Sequence, residues 1–168
     1  MGGPLGMATE STPPPPERTT EDAPPWIDIA RGELARGVRE TAGAAATPRI
    51  LEYFGATRLR VPPEGDETPW CAAFVGWCLE RAGVAGTGKA NARSYLDWGV
   101  PLMEARLGCV VVFSRGDNKA QGHVGFWVGE TPGQDAALVL GGNQGNRVSV
   151  APYPYVRVLG WRWPAPAP

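Results

Sequence analysis

One cysteine in this sequence occupies a position that suits nucleophilic catalysis. Cys71 follows Thr68 and Pro69, which are typical of a helix N-cap and of the first helical position. We therefore expect Cys71 at about the third residue of a helix, where the partial positive charge of the N-terminus favours the nucleophilic thiolate. The unpaired backbone N–H groups there could also hold the oxyanion of a tetrahedral intermediate. A free cysteine is more often a small buried residue, but the position of Cys71 favours catalysis.

The chain contains a single histidine, His123, so any Cys–His mechanism must use it. It follows Gly122 and precedes an apolar stretch, which predicts a place at the entrance of a strand. A general base there could take the thiol proton and later protonate a leaving amine. A lone histidine is more often a surface residue or a satisfied buried one. Here Gly122 and Gly125 allow another segment to approach closely, which favours a functional role.

A third polar group should orient the imidazole, as in Cys–His–Asn arrangements. Asn143 lies in the run Gly-Gly-Asn-Gln-Gly-Asn at 141–146, at the end of the strand that follows the histidine strand. Neighbouring antiparallel strands could bring its amide to the far imidazole nitrogen, so we predict this role for Asn143. Gln144 and Asn146 are weaker candidates for it. The structural alternative is a Gly-Asn turn, in which asparagine merely tolerates a left-handed backbone.

Three further residues are predicted to contact the substrate, namely Trp70, Glu67 and Gln144. Trp70 adjoins the nucleophile and could shape a substrate groove, whereas the other tryptophans are expected mostly in the core and the cleft wall. Glu67 precedes Cys71 by four residues and could bind a substrate ammonium group, although capping the helix is the commoner role of such a carboxylate. Gln144 directly follows the predicted third catalytic residue.

The other two cysteines, Cys78 and Cys109, are expected in the core. An odd number of cysteines without regular spacing argues against a disulfide framework. Zinc is the other interpretation of three cysteines and one histidine, but six residues separate Cys71 from Cys78 and thirteen separate Cys109 from His123. Zinc knuckles have about two to four residues between paired ligands. We therefore expect no metal, and the Cys–His chemistry needs no organic cofactor.

The elements that would position these residues change in kind along the chain. Helical spacing of apolar residues predicts a helix from about Trp26, a second from Pro48, the nucleophile helix ended by Gly83, and a fourth from Asn91 to Trp98. Short apolar stretches between turn residues, one of them Pro152-Tyr153-Pro154, then predict five strands at 109–113, 123–128, 137–140, 147–150 and 157–161. Helices followed by strands predict an α+β domain with an antiparallel sheet of about five strands.

The length of 168 residues predicts one domain. Its composition divides the chain into a disordered Pro-rich arm at 1–24, an ordered domain at 25–164 and a disordered tail at 165–168. A net charge of −1 gives no reason to expect nucleic acid or an anionic membrane as partner. No apolar run is long enough to span a bilayer, and the N-terminus shows no Sec-type signal. We expect a monomer.

Four blocks of the sequence together resemble the CHAP and NlpC/P60 superfamily of peptidoglycan hydrolases, and most closely a CHAP-like group of small bacterial and phage proteins. The resemblance covers about residues 26–164, and its blocks are 68–75 (TPWCAAFV), 111–113 (VVF), 122–126 (GHVGF) and 141–146 (GGNQGN). It implies a papain-like α+β fold in which the nucleophile helix packs on the C-terminal sheet. It also implies a dyad at Cys71 and His123 with a polar third member.

The same resemblance implies cleavage of an amide bond in the cell wall through a thioester. The enzyme would be an N-acetylmuramoyl-L-alanine amidase or a peptide-stem endopeptidase. Many CHAP domains carry an acidic residue two positions before an asparagine at the third catalytic position, where this chain has Gly141 and Asn143. The protein would act on the wall or in the periplasm after delivery by a phage or a secretion system, with a phage, secretion-system or immunity protein as partner. The alternatives are a cysteine protease or transferase that acts on protein, and a catalytically silent module that binds wall or a partner.

Overall fold

A computed structural model gives the fold of this chain, and it describes residues 23–41, 47–58 and 69–166. Helices occupy the first half and a six-stranded antiparallel sheet the second, which confirms the predicted α+β class. Three predictions fall wholly or largely outside the described residues: the Pro-rich arm, the substrate contact of Glu67 and the cap of Thr68. Within the described residues, no helix is long and apolar enough to cross a membrane.

Three α-helices and one 3₁₀ helix precede the main sheet in the described residues: α1 (Pro25–Arg36), α2 (Pro48–Phe54), α3 (Cys71–Arg81) and the 3₁₀ helix Ala92–Asp97. Proline stands in the first turn of α1 and α2, where its missing N–H costs no hydrogen bond. Gly37 ends α1 with a left-handed backbone, φ 68°. Helix α3 is buried continuously from Cys71 to Leu79, so it is the central helix of the domain.

Helix α3 begins later than the sequence predicts, so Cys71 is its first residue and not about its third. Trp70 is the N-cap and has non-helical angles, φ −118° and ψ 14°. The cause is a tertiary anchor, because the Trp70 indole is fully buried and its Nε1 donates to Glu40 Oε1 at 2.7 Å. Pro69 therefore stays outside the helix, and the free N–H groups of the first turn begin at the nucleophile candidate.

The sheet contains six strands because one short edge strand adds to the five predicted. The strands are β1 (Val100–Pro101), β2 (Val110–Ser114), β3 (Gly122–Glu130), β4 (Ala136–Gly141), β5 (Ser149–Pro154) and β6 (Val158–Trp163). Its order is β1-β6-β2-β3-β4-β5, with every neighbouring pair antiparallel. The two-residue strand β1 pairs with the end of β6 and is too short to leave a sequence pattern.

Strand β5 includes the segment that the sequence predicts as a turn, Pro152-Tyr153-Pro154. Both prolines are tolerated because β5 is an edge strand with one neighbour, β4, so a missing N–H can face away from the ladder. The prolines are exposed, while Tyr153 between them is partly buried. Arg147, predicted to open this strand, lies outside it and forms an isolated bridge with Arg39.

The two faces of the sheet bury two separate clusters, which follows from the period-two alternation of strand residues. On the helix side, Val110, Val112, Val124, Phe126 and Leu140 pack with α1, α2 and α3. On the other side lies a smaller cluster with Val111, Phe113, Trp127, Val139 and Cys109. The predictions that Cys78 and Cys109 are core residues are confirmed, since both are fully buried.

A buried carboxylate joins the helices under the nucleophile helix. Glu33 on α1 is only 3% exposed, and both of its oxygens accept from Arg49 on α2, at 2.5 and 2.9 Å. Tyr53 also donates to it at 2.8 Å, and the Tyr53 ring packs against Trp70 and against residues of α3. Because this carboxylate is fully paired, its burial does not leave an isolated charge.

Candidate active site

The Cys71 side chain is 4% exposed and lies among backbone N–H groups. The N–H of Val124, at the start of β3, hydrogen-bonds the sulfur, and so do the N–H groups of Ala72 and of Cys71 itself. Burial is the largest influence and raises the pKa of the thiol, whereas these N–H groups and the charge of Arg115 lower it by less. The helix N-terminus thus supplies donors, as predicted, but in this conformation the thiol stays protonated.

His123 lies on β3, one residue before the Val124 whose N–H contacts the thiol. It is 8% exposed, and its ring stacks on Tyr153 with centroids 4.8 Å apart and planes 14° apart. Burial lowers the pKa of His123 to about 4, and the charges of Arg115 and Arg157 act in the same direction. The imidazole is therefore neutral at physiological pH, the form that can accept a proton.

The imidazole is held by the side chain of Gln144. His123 Nε2 and Gln144 Oε1 are 2.9 Å apart, and the amide nitrogen of Gln144 donates to two carbonyls, Val139 O at 3.0 Å and Ser149 O at 2.8 Å. Because carbonyl oxygens only accept, the amide must turn its NH₂ toward them and its oxygen toward the ring. His123 Nε2 must then carry the proton. The other nitrogen, Nδ1, keeps its lone pair free to act as a base.

The structure gives this orienting hydrogen bond to Gln144 and not to Asn143, for which the sequence predicts it. The Asn143 side chain makes no hydrogen bond to His123 among the described residues, and its backbone is left-handed with φ 58°. This backbone is that of the Gly-Asn turn, the structural alternative to a catalytic role for Asn143. Gln144 itself is 4% exposed and fully engaged, so it is not placed to contact substrate as predicted.

Gly141 makes room for the Gln144 amide. A Cβ atom at position 141 would lie 2.5 Å from Gln144 Oε1, closer than real Cβ contacts allow. The chain therefore has glycine where many CHAP domains have an acidic residue, and the carboxamide from three residues later occupies the adjoining space. Sequence pattern alone could not show this, because the turn at 142–146 decides which side chain folds back.

Trp70 does not line a substrate groove, contrary to the prediction. Its ring is fully buried, stacks on Tyr53 and packs on the backbone of Gly142. It belongs to the core and fixes the start of α3. Glu67 lies outside the described residues, and Asn146, the other weaker candidate, is exposed with a left-handed backbone, φ 59°.

A cleft of about 200 Å³ opens beside Cys71. Its walls are the start of the 3₁₀ helix, with Ala92, and the loop between β2 and β3, with Arg115 and Gln121. A larger groove of about 600 Å³ lies between Arg39 and Arg147, but neither Cys71 nor His123 lines it. No group of three or more His, Cys, Asp or Glu side chains in the described residues is arranged to hold a metal ion.

Three residues near the dyad were not predicted from the sequence: Tyr153, Arg157 and Arg115. Arg157 donates to Ser114 O through Nε at 3.1 Å and Nη2 at 2.8 Å, and its guanidinium lies 5.5 Å from the centre of the Tyr153 ring. Tyr153 was not predicted because the prolines on either side of it are typical of a turn. Arg115 follows the first predicted strand and Arg157 is the first residue of the fifth, and no motif marks either.

Residues 63–143 match the family model of the CHAP domain. No curated protein matches the sequence. Among solved structures, the wild-type endolysin LysIME-EF1 matches with a TM-score of 0.45 and 16% identity, covering 72% of this chain and 65% of that one. A protein similar to lipoprotein of the NLP/P60 family, from Staphylococcus aureus subsp. aureus Mu50, matches with a TM-score of 0.42 and 14% identity, covering 76% and 45%. The chain thus spans less than two thirds of either structure.

Proposed function

This chain carries a CHAP domain of the CHAP and NlpC/P60 superfamily, and from that premise we propose that it is a peptidoglycan hydrolase that cleaves an amide bond with Cys71 as nucleophile. The observation that carries the proposal is the protonation state of the dyad. Because Gln144 accepts a hydrogen bond from His123 Nε2, the other ring nitrogen, Nδ1, is left as a free base. His123 directly precedes Val124, whose N–H contacts the thiol. Neutral thiol and neutral imidazole are the reactants that general-base catalysis needs.

In the acylation step, His123 Nδ1 takes the thiol proton and the Cys71 sulfur attacks the amide carbonyl carbon. The tetrahedral intermediate collapses by breaking the C–N bond, and the imidazolium gives its proton to the departing amine. The products are a free amine and a thioester on Cys71. Gln144 accepts from Nε2 throughout and so stabilises the imidazolium while it exists.

In the deacylation step, neutral His123 accepts a proton from water, and the oxygen attacks the thioester carbonyl. The C–S bond breaks, and the proton returns to the sulfur, so the enzyme ends in its starting state. The oxyanion of each step needs donors close to the sulfur. The backbone N–H groups of Cys71, Ala72 and Val124 already contact the thiol and are the donors available.

The substrate is an amide of the wall, either the N-acetylmuramoyl-L-alanine bond or a peptide bond of the stem. The protein would thus act on the cell wall or in the periplasm after delivery by a phage or a secretion system. A partner from that machine, or an immunity protein, fits the same setting.

The first test compares the wild-type protein with Cys71→Ala and with Cys109→Ala, a control that removes a buried thiol on the opposite face of the sheet. Each protein is incubated with purified sacculi, and released fragments are identified by mass spectrometry. We expect Cys71→Ala to lose at least roughly a thousandfold in rate and Cys109→Ala to keep activity. The fragment masses identify the bond. Equal release by Cys71→Ala would refute the assignment.

The two alternative functions have their own outcomes in this test. Release of peptides from a protein substrate, with intact sacculi, would indicate a protease or transferase. No hydrolysis at all, together with no labelling of Cys71 by an electrophilic thiol probe, would indicate a silent binding module.

A further inference from the structure

Arg115 lines the cleft, and two further arginines, Arg93 and Arg157, lie next to the segments that form its walls. Those two are already held by hydrogen bonds. Arg93 Nε donates to Gln121 O at 2.7 Å, and Arg157 donates twice to Ser114 O. Arg115 is exposed and makes no hydrogen bond or ion pair with any described residue. Its guanidinium is therefore the one in this group, within the described residues, that has its donors free for a ligand.

Arg115 lies in the wall of the same cleft as Cys71. Its charge lowers the pKa of Cys71, of His123 and of Tyr153, which places it within electrostatic reach of all three. No carboxylate of the described residues lines the cleft, and none acts on the pKa of His123. The described residues that line the cleft are thus neutral or cationic, and an anionic substrate group would meet no repulsion from them.

We propose that Arg115 binds a carboxylate of the substrate next to the scissile amide and so selects wall peptides with a free carboxylate over those in which it is amidated. The inference rests on the proposed function. A guanidinium presents a planar fork of donors that matches a carboxylate with two parallel hydrogen bonds. The cleft holds about 200 Å³, less than the roughly 300 Å³ that begins the range of drug-sized pockets. Cys71 and Arg115 both line this small cleft, so a carboxylate bound by Arg115 would lie close to a carbonyl attacked by Cys71.

A different role for Arg115 would be to stabilise the thiolate or the oxyanion. In that role it would accelerate every amide substrate by the same factor. Recognition of a carboxylate would instead raise the rate for the substrate with a free carboxylate and not for the same substrate with that group amidated. The comparison of two matched substrates therefore separates the roles.

The experiment uses two synthetic stem peptides that differ only in one group beside the scissile bond, carboxylate in one and carboxamide in the other. For wild type we expect kcat/KM to be at least tenfold higher with the carboxylate. Arg115→Gln should lower kcat/KM for the carboxylate peptide roughly ten- to a hundredfold more than for the carboxamide peptide, the effect of a charge-assisted hydrogen bond. Arg31→Gln removes the same charge outside the cleft and should leave the preference intact. No wild-type preference, or an equal loss on both peptides, overturns the inference.

A binding measurement tests carboxylate recognition by Arg115 independently of whether the protein hydrolyses peptidoglycan. Cys71→Ala and Cys71→Ala/Arg115→Gln are titrated with both peptides by calorimetry. Tighter binding of the carboxylate peptide that disappears in the double variant supports the inference even when no peptide is cleaved. Equal affinity of both peptides for Cys71→Ala overturns it, even when sacculi are hydrolysed.

Discussion

Gln144 carries out two tasks with one side chain. Its NH₂ group joins the carbonyls of Val139 and Ser149, and its oxygen faces His123. A glutamate at this position would turn a carboxylate oxygen toward two carbonyl oxygens, because it has no N–H to donate. The neutral amide is therefore the group that satisfies both the two carbonyl oxygens and the imidazole N–H, which explains why an amide and not an acid holds His123 here.

Replacing Gln144 by alanine should slow catalysis without preventing substrate binding. We expect kcat to fall roughly a hundredfold while KM changes little, since the imidazole loses its orientation and its tautomer. The hydrogen bond that His123 donates to Gln144 raises the pKa of His123. Its loss should therefore also move the acid limb of the pH–kcat profile below the pH of about 4 set by wild-type His123. A purely structural defect would not move that limb.

The matched control for this variant is Asn143→Gly, which removes the neighbouring amide and keeps a residue suited to φ 58°. It should retain wild-type kcat within a few-fold. A large loss in Asn143→Gly with a mild one in Gln144→Ala would instead restore the role that the sequence predicted for Asn143.

Cys71 and His123 could be selected as candidates from the sequence because each carries a local signal. The cysteine follows helix-start residues, and the histidine is the only one in the chain. Gln144 could not be chosen over Asn143, because both are amides in one glycine-rich turn. The choice depends on φ of 58° at Asn143 and on the space beside Gly141, which only the folded backbone defines.

At the scale of the elements, the start of α3 is positioned by contact with the end of β4. The backbone of Gly142, just past β4, lies against Trp70 and Phe74. A Cβ atom there would be 2.6 Å from the Trp70 ring and 2.7 Å from Phe74 Cβ. The turn that carries Gln144 and the helix that carries Cys71 therefore share one tightly packed boundary.

Substituting Gly142 by alanine should push these two elements apart. We expect a loss of about 1–3 kcal/mol in the free energy of unfolding, the usual cost of overpacking, together with a loss of activity. Gly32→Ala is the control, because a Cβ atom there meets nothing within 4 Å and alanine is the better helix former in α1 by about 1 kcal/mol. Urea unfolding measures both. A Gly142→Ala protein with an unchanged midpoint would contradict the packing argument.

The order of elements was predicted, but some boundaries were not. Apolar periodicity identified α1, α2, α3 and the central strands, because each has a buried face. It failed at β5, because Pro152 and Pro154 indicate a turn in the sequence, whereas in the structure they are exposed residues of an edge strand. Tyr153, the residue that stacks on His123, was missed for the same reason.

For the whole molecule, burial of the neutral imidazole links stability to pH. The pKa of His123 is lowered from 6.5 to about 4 on folding, so the unfolded chain binds a proton more readily. Its contribution to stability is complete above pH 6.5 and is lost as pH falls toward 4, a total of roughly 3 kcal/mol. The pKa of Glu33 is also lowered on folding, so the stability that Glu33 contributes is lost only when the pH falls below its ordinary pKa of 4.5.

Between pH 7 and pH 4.5 the histidine should therefore dominate acid destabilisation. We expect the wild-type free energy of unfolding to fall across this range by roughly 2 kcal/mol more than that of His123→Gln. Urea unfolding at both pH values measures the difference. Equal losses in the two proteins would show that His123 titrates near its ordinary pKa in the folded state.

The exposed prolines of β5 also affect how one molecule meets another. An edge strand with a full row of free N–H groups is a template on which a second chain can add its own strand. Pro152 and Pro154 have no N–H to offer, and they occupy alternate positions along this border of the sheet. The two prolines that made this strand resemble a turn in the sequence thus interrupt the hydrogen-bond ladder on which β-aggregates grow.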